Sequence, residues 1–214
     1  MRVLPKKNSR FSALILQHVK DNLKAYIIVS IILLIGIILG VILINNMNEV
    51  QKQEINTYLS DFTTSLKNGS EVDHLQLLKK SIINNIILVL FMWFVGSTVI
   101  GIPFVMGMVA FRGFCLGYTI SSIIAIWGTG KGMLFFVTSL LLQNLIFIPC
   151  LIALAVSGIK LYKSIIKDKR KENIKFEIFR HTIFSLFVLI LLVASSLIET
   201  YVSSNLLELC IGQF

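Results

Sequence analysis

No carboxylate occurs inside any long apolar run of this chain, and that absence bounds what it can be. A proton or ion pump is expected to carry an intramembrane acid. The 3 cysteines, Cys115, Cys150 and Cys210, are odd in number and lack metal-ligand spacing. Neither a zinc site nor a disulfide framework is indicated, and they read as small apolar fillers. His18, His74 and His181 are far apart in sequence and read as lying near water. A Ser/His/Asp set, paired carboxylates and a phosphate-binding loop are all missing. The chain therefore reads as non-enzymatic, with no cofactor and no metal. The net charge of +9 invites a nucleic-acid reading. Aromatic residues do not interleave with the basic ones as a base-stacking platform needs, so nucleic acid is excluded as a partner. Attraction to anionic lipid explains the charge better.

What the chain does have is five apolar stretches, from Ala25 to Ile44, Ile82 to Ile100, Pro103 to Ile126, Gly132 to Ser157 and Thr182 to Ile198. A hydrocarbon core of about 30 Å needs roughly 20 helical residues, and each stretch approaches or exceeds that. The pattern predicts an all-α integral membrane protein with five transmembrane helices. Lys and Arg concentrate in cytoplasmic segments. Here they cluster in an arm (Arg2, Lys6, Lys7, Arg10, Lys20, Lys24) and in a connection after the fourth stretch, from Lys160 to Arg180. With five spans both clusters lie on one side, so the N-terminus is cytoplasmic and the C-terminus outside. A four-span arrangement would make a middle stretch re-entrant and put the basic connection opposite the arm. The first stretch ends in Asn45-Asn46-Met47 without a small-x-small cleavage site and reads as an uncleaved signal anchor.

The predicted organisation is a basic cytoplasmic arm over 1–24 and a single polytopic membrane domain over 25–214. The domain includes an outer loop at 45–81 and a basic cytoplasmic loop at 158–181. In the arm, Phe11, Leu14, Ile15 and Val19 recur at helical spacing, as an interfacial helix requires. In the outer loop, Ile55, Leu59, Phe62 and Leu66 recur likewise. Asn68-Gly69 reads as a helix stop, and Ser70-x-x-Asp73 as a capping box opening the next helix. The outer segment is thus a helical hairpin, too short at 37 residues for a core of its own. Its apolar stripe must rest on lipid, on the neighbouring spans or on a partner. Gly101-Ile102-Pro103 separates the second and third stretches and reads as a tight cytoplasmic turn.

Gly113, Gly117 and Ser121 form a row of small residues at a spacing of four, which lets helix backbones approach closely. The row can pack within the chain or against another protein, a second copy included. Arg112 is the one charged residue within a stretch, about 14 Å beyond Pro103 by helix rise. It reads as a snorkelling anchor, or as a donor to carbonyls near Pro103 or to Gln143 and Asn144. Those two amides sit in the middle of the fourth stretch, where amides hydrogen-bond across helices or line a substrate path.

The run from Ile82 to Ser122 includes Asn84-Asn85, Trp93, Gly96 and GIPFVMGMVAFRGFCLGYT, and KGMLFFVTSLLLQNLIFIP follows it. It resembles the stage II sporulation protein M family, and the resemblance extends over essentially the whole chain. Many relatives carry Pro just before the Gln-Asn pair, where this chain has Leu142. The wider superfamily carries a His-Gly-x-x-Glu type segment in the fourth span, and this chain has no such acid there. The resemblance implies a membrane protein of endospore formers, needed for septum migration when the mother-cell membrane engulfs the forespore. It implies recruitment of two peptidoglycan-degrading partners, stage II sporulation proteins D and P, to the septal membrane.

Two functions follow as expectations. The first is a non-enzymatic membrane scaffold for wall hydrolases, with Ile55, Leu59, Phe62 and Leu66 as the partner contact. The alternative is a small transporter or lipid-handling protein that uses Arg112, Gln143 and Asn144. A water-filled cavity reaching Asn144 favours the second, and a closed dry core the first. An amide- or lipid-modifying enzyme is disfavoured by the lack of intramembrane His and acid.

Overall fold

The computed structural model describes residues 17, 19–67, 74–98, 100–167, 171–203 and 205. Among them all regular structure is helical: α1 (Leu23–Asn45), α2 (Glu49–Lys67), α3 (His74–Gly96), α4 (Gly101–Phe135), α5 (Leu142–Lys167) and α6 (Lys171–Ile198). A π-helical turn, Phe136–Leu141, joins α4 to α5, and another, Glu199–Ser203, continues α6. Within the described residues 4 helical stretches are long and apolar enough to cross a bilayer: Leu23–Asn45, His74–Gly96, Gly101–Ile166 and Ile174–Ser203.

α1 shows why these helices need lipid. One face, Ala25, Val29, Leu33, Gly36, Gly40 and Ile44, is buried. The opposite face, including Ile27, Ile31, Leu34, Ile38 and Ile42, is just as apolar and is exposed. A helix apolar all round is stable only where its outer face meets hydrocarbon. α2 is different, and amphipathic. Its start is a capping box in which the backbone N–H of Gln51 donates to Asn48 Oδ1 (2.9 Å) and that of Asn48 to Gln51 Oε1 (3.2 Å). The expected box at Ser70–Asp73 and the stop at Asn68-Gly69 lie outside the described residues, as do Phe11, Leu14 and Ile15 of the arm.

The stretch Gly101–Ile166 is not one rod. As a straight helix it would run to about 100 Å, three bilayer cores. It folds back at Gly128, whose φ of 78° and ψ of 169° suit glycine alone. Past the reversal Gly132 presses on Ile124, where an added Cβ would lie 2.8 Å from the Ile124 Cα. Trp127 and Phe135 meet edge to face across the reversal at 5.3 Å. The 101–127 and 129–135 limbs of α4 are therefore antiparallel, and α5 prolongs the second.

The turn between α3 and α4 comes earlier than Gly101–Pro103. It runs through Ser97, Thr98 and Ile100, closed by Thr98 N–H to Val95 O (3.0 Å) and Gly101 N–H to Thr98 O (3.2 Å). Gly101 and Pro103 instead open α4. Proline is tolerated there because first-turn N–H groups have no intrahelical acceptor. Gly101 is required because a Cβ would strike the Val95 carbonyl. The segment read as a basic loop over 158–181 is largely helical, with α5 reaching Lys167 and α6 starting at Lys171.

α1 packs chiefly along α4, and α6 against α3 and α5. The α1–α4 contact is backbone against backbone. A Cβ on Gly36 would overlap the Ala110 carbonyl, and one on Gly40 would lie 2.6 Å from Tyr118 N. Cβ atoms on Gly113 and Gly117 would overlap the Leu33 and Ile37 carbonyls. Such proximity gains dispersion where lipid supplies no hydrophobic drive. Ser121, one turn on, is half-buried. Gly107, on the same helix, has nothing within 4 Å of an added Cβ. We therefore expect Gly36→Leu, Gly113→Leu and Gly117→Leu each to destabilise the protein by about 1–3 kcal/mol or more, seen as a lower yield of monodisperse protein and a lower thermal midpoint. Gly107→Leu should match wild type. Equal behaviour of all four variants in detergent-solubilised melts would remove the glycine contact as a stabilising element.

Candidate functional site

Polar side chains spaced along α3, α4 and α5 converge on one cavity. Its lining takes residues 77–85 of α3, 112–119 of α4 and 140–147 of the π-turn and α5, with Glu199 closing one side; its volume is about 350 Å³. The lining positions span seven or eight residue steps on each helix, so the cavity is about 10 Å deep along the bundle. That is a third of a bilayer core, hence a pocket and not a through-path. α1 contributes nothing to the lining, because its glycine face holds α4 by the opposite side. With Gly113 and Gly117 turned to α1, the row Arg112, Cys115, Leu116 and Thr119 is left to face the cavity.

Glu199 organises the polar wall. Gln143 Nε2 donates to Glu199 Oε2 at 2.7 Å, and the Ser81 hydroxyl donates to the same oxygen. Ser81 Oγ also lies 3.0 Å from Ser196 Oγ, and Asn85 Nδ2 donates to Ser196 Oγ at 2.8 Å and to Leu192 O at 3.2 Å. Ser195 Oγ donates to Gln143 O at 3.2 Å. Three helices, α3, α5 and α6, are thereby laced together by groups that lipid could not satisfy. Both π-turns border this seam. Each carries one extra residue per turn, which re-aims the side chains beyond it. Asn144 Nδ2 meets Leu140 O at 2.8 Å where the first π-turn passes into α5. Beside the second, His74 Nδ1 donates to Thr200 O at 3.1 Å, and its ring stacks on Tyr201.

Arg112, Gln143 and Asn144 are thus neighbours on one cavity. The absence of acids from the apolar runs does not carry over to the fold, because Glu199, one residue past the last run, lies on the same cavity as Arg112. The apolar run stops at Ile198, so composition alone leaves Glu199 outside the span. The π-turn rotates the next residue inward, and sequence periodicity carries no signal for that. Arg112 stacks over Phe147 with its guanidinium carbon 5.1 Å from the ring centroid. Among the described residues it makes no ion pair, with Glu199 or any other carboxylate.

His181 is also corrected: it is 3 % exposed and not near water. Its Nδ1 lies 2.8 Å from Ser157 Oγ, at the Gly96–Gly158 crossing of α3 and α5. Basic neighbours in sequence concealed that burial. Cys150 is buried in the core and Cys115 lines the cavity, while Cys210 and His18 lie outside the described residues. Of the outer stripe, Ile55 and Leu59 are half-buried, and Leu59 packs with Ile123 and Phe135. The side chains of Phe62 and Leu66 lie outside the described residues. No group of three or more His, Cys, Asp or Glu gathers as a metal site among the described residues.

The family model for stage II sporulation protein M matches residues 29–204, from the first apolar helix to the second π-turn. The chain belongs to the stage II sporulation protein M family. Its matched region takes in every wall of the cavity. It is a sporulation-linked, multi-pass membrane protein. No curated relative and no solved structure matches it.

The Glu199 network yields a coupling test. Gln143→Ala and Glu199→Ala should each lower stability in detergent by about 1–3 kcal/mol, since each strands a half-buried partner. The double variant should fall short of the sum by about 0.5 kcal/mol or more. Additive thermal losses would show that the two side chains do not act together.

Proposed function

We propose that the chain is a non-enzymatic scaffold of the engulfing membrane. It crosses the bilayer five times, with its N-terminus cytoplasmic and its C-terminus outside. It recruits and stabilises the peptidoglycan-degrading stage II sporulation proteins D and P at the septum during engulfment. The fold-back at Gly128 supports five crossings by making two limbs of the Gly101–Ile166 stretch. Five crossings put both basic clusters on one side, as the distribution of Lys and Arg favours. In a cysteine-free background, single cysteines at Asn56 and Gly130 should react with an impermeant thiol reagent in intact cells. One at Lys163 should react only after lysis. Labelling of Lys163→Cys in intact cells would reverse the orientation.

The observation that carries the scaffold reading is the outer helix. α2 leans on the bundle and leaves a groove of about 550 Å³ between Ile55, Tyr58 and Leu59 on one side and Tyr118, Ile123 and Phe135 on the other. Tyr58 is 73 % exposed at its rim. Wall hydrolases work outside the membrane, and an apolar groove beside an amphipathic helix suits an inserted partner helix. Tyr58→Asp should leave the protein inserted and abundant and reduce co-purification of the two hydrolases about ten-fold, the scale of one exposed anchor at an interface. Leu59→Asp should do the same and also free α2 from the bundle. Recovery of both hydrolases at wild-type yield with Tyr58→Asp would place their contact elsewhere.

A second reading, a lipid-handling role, is supported by the polar cavity that includes Asn144. Its depth of about 10 Å suits holding a ligand better than conducting one.

A further inference from the structure

We propose that the cavity is a binding site for a phospholipid headgroup, with the phosphate on Arg112 and a terminal ammonium on Glu199. The inference does not rest on hydrolase recruitment, and it gives the cavity a ligand of stated chemistry.

Arg112 carries the argument. A guanidinium at depth in a bilayer costs a few kcal/mol on the mildest scale. The cation–π contact with Phe147 returns about 0.5–2 kcal/mol. Within the described residues the guanidinium has no hydrogen-bond acceptor and no ion pair. Its fork of five donors matches a phosphate better than any other common anion. Glu199 is the complement. Its Oε2 takes both internal hydrogen bonds, from Ser81 and Gln143, which leaves Oε1 for a donor in the cavity. A cation and an anion that share a cavity without pairing to each other call for a ligand with both signs.

The route of entry points to lipid as the source. Of the residues lining the cavity, Lys80 and Asn84 are the exposed ones, one turn apart on α3. Ile83 and Ile87 beside them are exposed apolar residues that face acyl chains. The mouth therefore opens on the flank of the bundle. A headgroup can enter there while its chains stay in hydrocarbon, and Lys80 adds attraction for phosphate at the threshold. A volume of about 350 Å³ fits a headgroup and excludes the acyl chains.

The test uses the full-length protein in nanodiscs of equal parts phosphatidylethanolamine and phosphatidylglycerol, released into detergent for native mass spectrometry. Wild type should retain one phospholipid, with ethanolamine favoured over glycerol. Arg112→Gln should lose retention about ten-fold or more, as expected when a charge-assisted contact is removed. Arg112→Lys should keep a measurable part of it. Glu199→Gln should abolish the ethanolamine preference. Because Arg112→Gln could unfold the bundle, Thr119→Phe fills the cavity from a residue whose hydroxyl only bonds back to Cys115 O. It should keep the wild-type thermal midpoint and lose the lipid. Equal retention by wild type, Arg112→Gln and Thr119→Phe overturns the site. Displacement of the lipid by millimolar glycerol phosphate would assign the site to soluble phosphates and overturn the lipid assignment.

Discussion

The glycine contact between α1 and α4 governs the arrangement of everything else. The Ala110 and Phe114 carbonyls of α4 fill the space of side chains missing at Gly36 and Gly40, and the Leu33 and Ile37 carbonyls of α1 do the same at Gly113 and Gly117. This fixes more than distance. An α-helix turns 100° per residue, so locking Gly113 against α1 also fixes where Arg112 points. The rotation of α4 is set by four hydrogen atoms, and the cavity inherits one wall from it.

On the far side, the same problem of association in lipid is solved by polar groups. Ser81 and Asn85 of α3, Gln143 of α5, Ser195 and Ser196 of α6 and Glu199 of the π-turn that continues it bond across the helix boundaries. Each bond contributes only about 0.6 kcal/mol on average in membranes. Its directionality contributes register, which close packing of Leu and Ile does not. The bundle thus has a dry, glycine-packed half and a polar half, and the cavity lies against the second.

Much of this was legible in the sequence, and the misses share physical causes. Apolar length and all-helical character are properties of composition, so they are readable. Family membership was readable from the Gly-Ile-Pro, Phe-Arg-Gly-Phe and Gln-Asn-Leu segments. Gly113 and Gly117 are legible as a row of small residues that Ser121 extends at the same spacing of four. Gly36 and Gly40 have the same spacing, but a uniformly apolar run gives no hint of which face is buried. Glu199 follows the end of an apolar run and His181 follows a basic segment, so local sequence places both near water. A π-turn and a helix crossing, both tertiary facts, decided otherwise. The turn before α4 was displaced by a few residues because proline and glycine suit the first turn of a helix as well as a loop.

The reversal at Gly128 also bears on biogenesis. Two limbs joined by one residue share no loop that could wait on either side of a membrane. The first cannot settle with its end free in water while the second is still being made, because the next turn of chain already lies against Ile124. They must enter the bilayer as a pair. Their paired surfaces, Trp127 on Phe135 and Ile124 on Gly132, then form before lipid can cover either one. Once seated, the hairpin offers a protease almost no irregular backbone at that end.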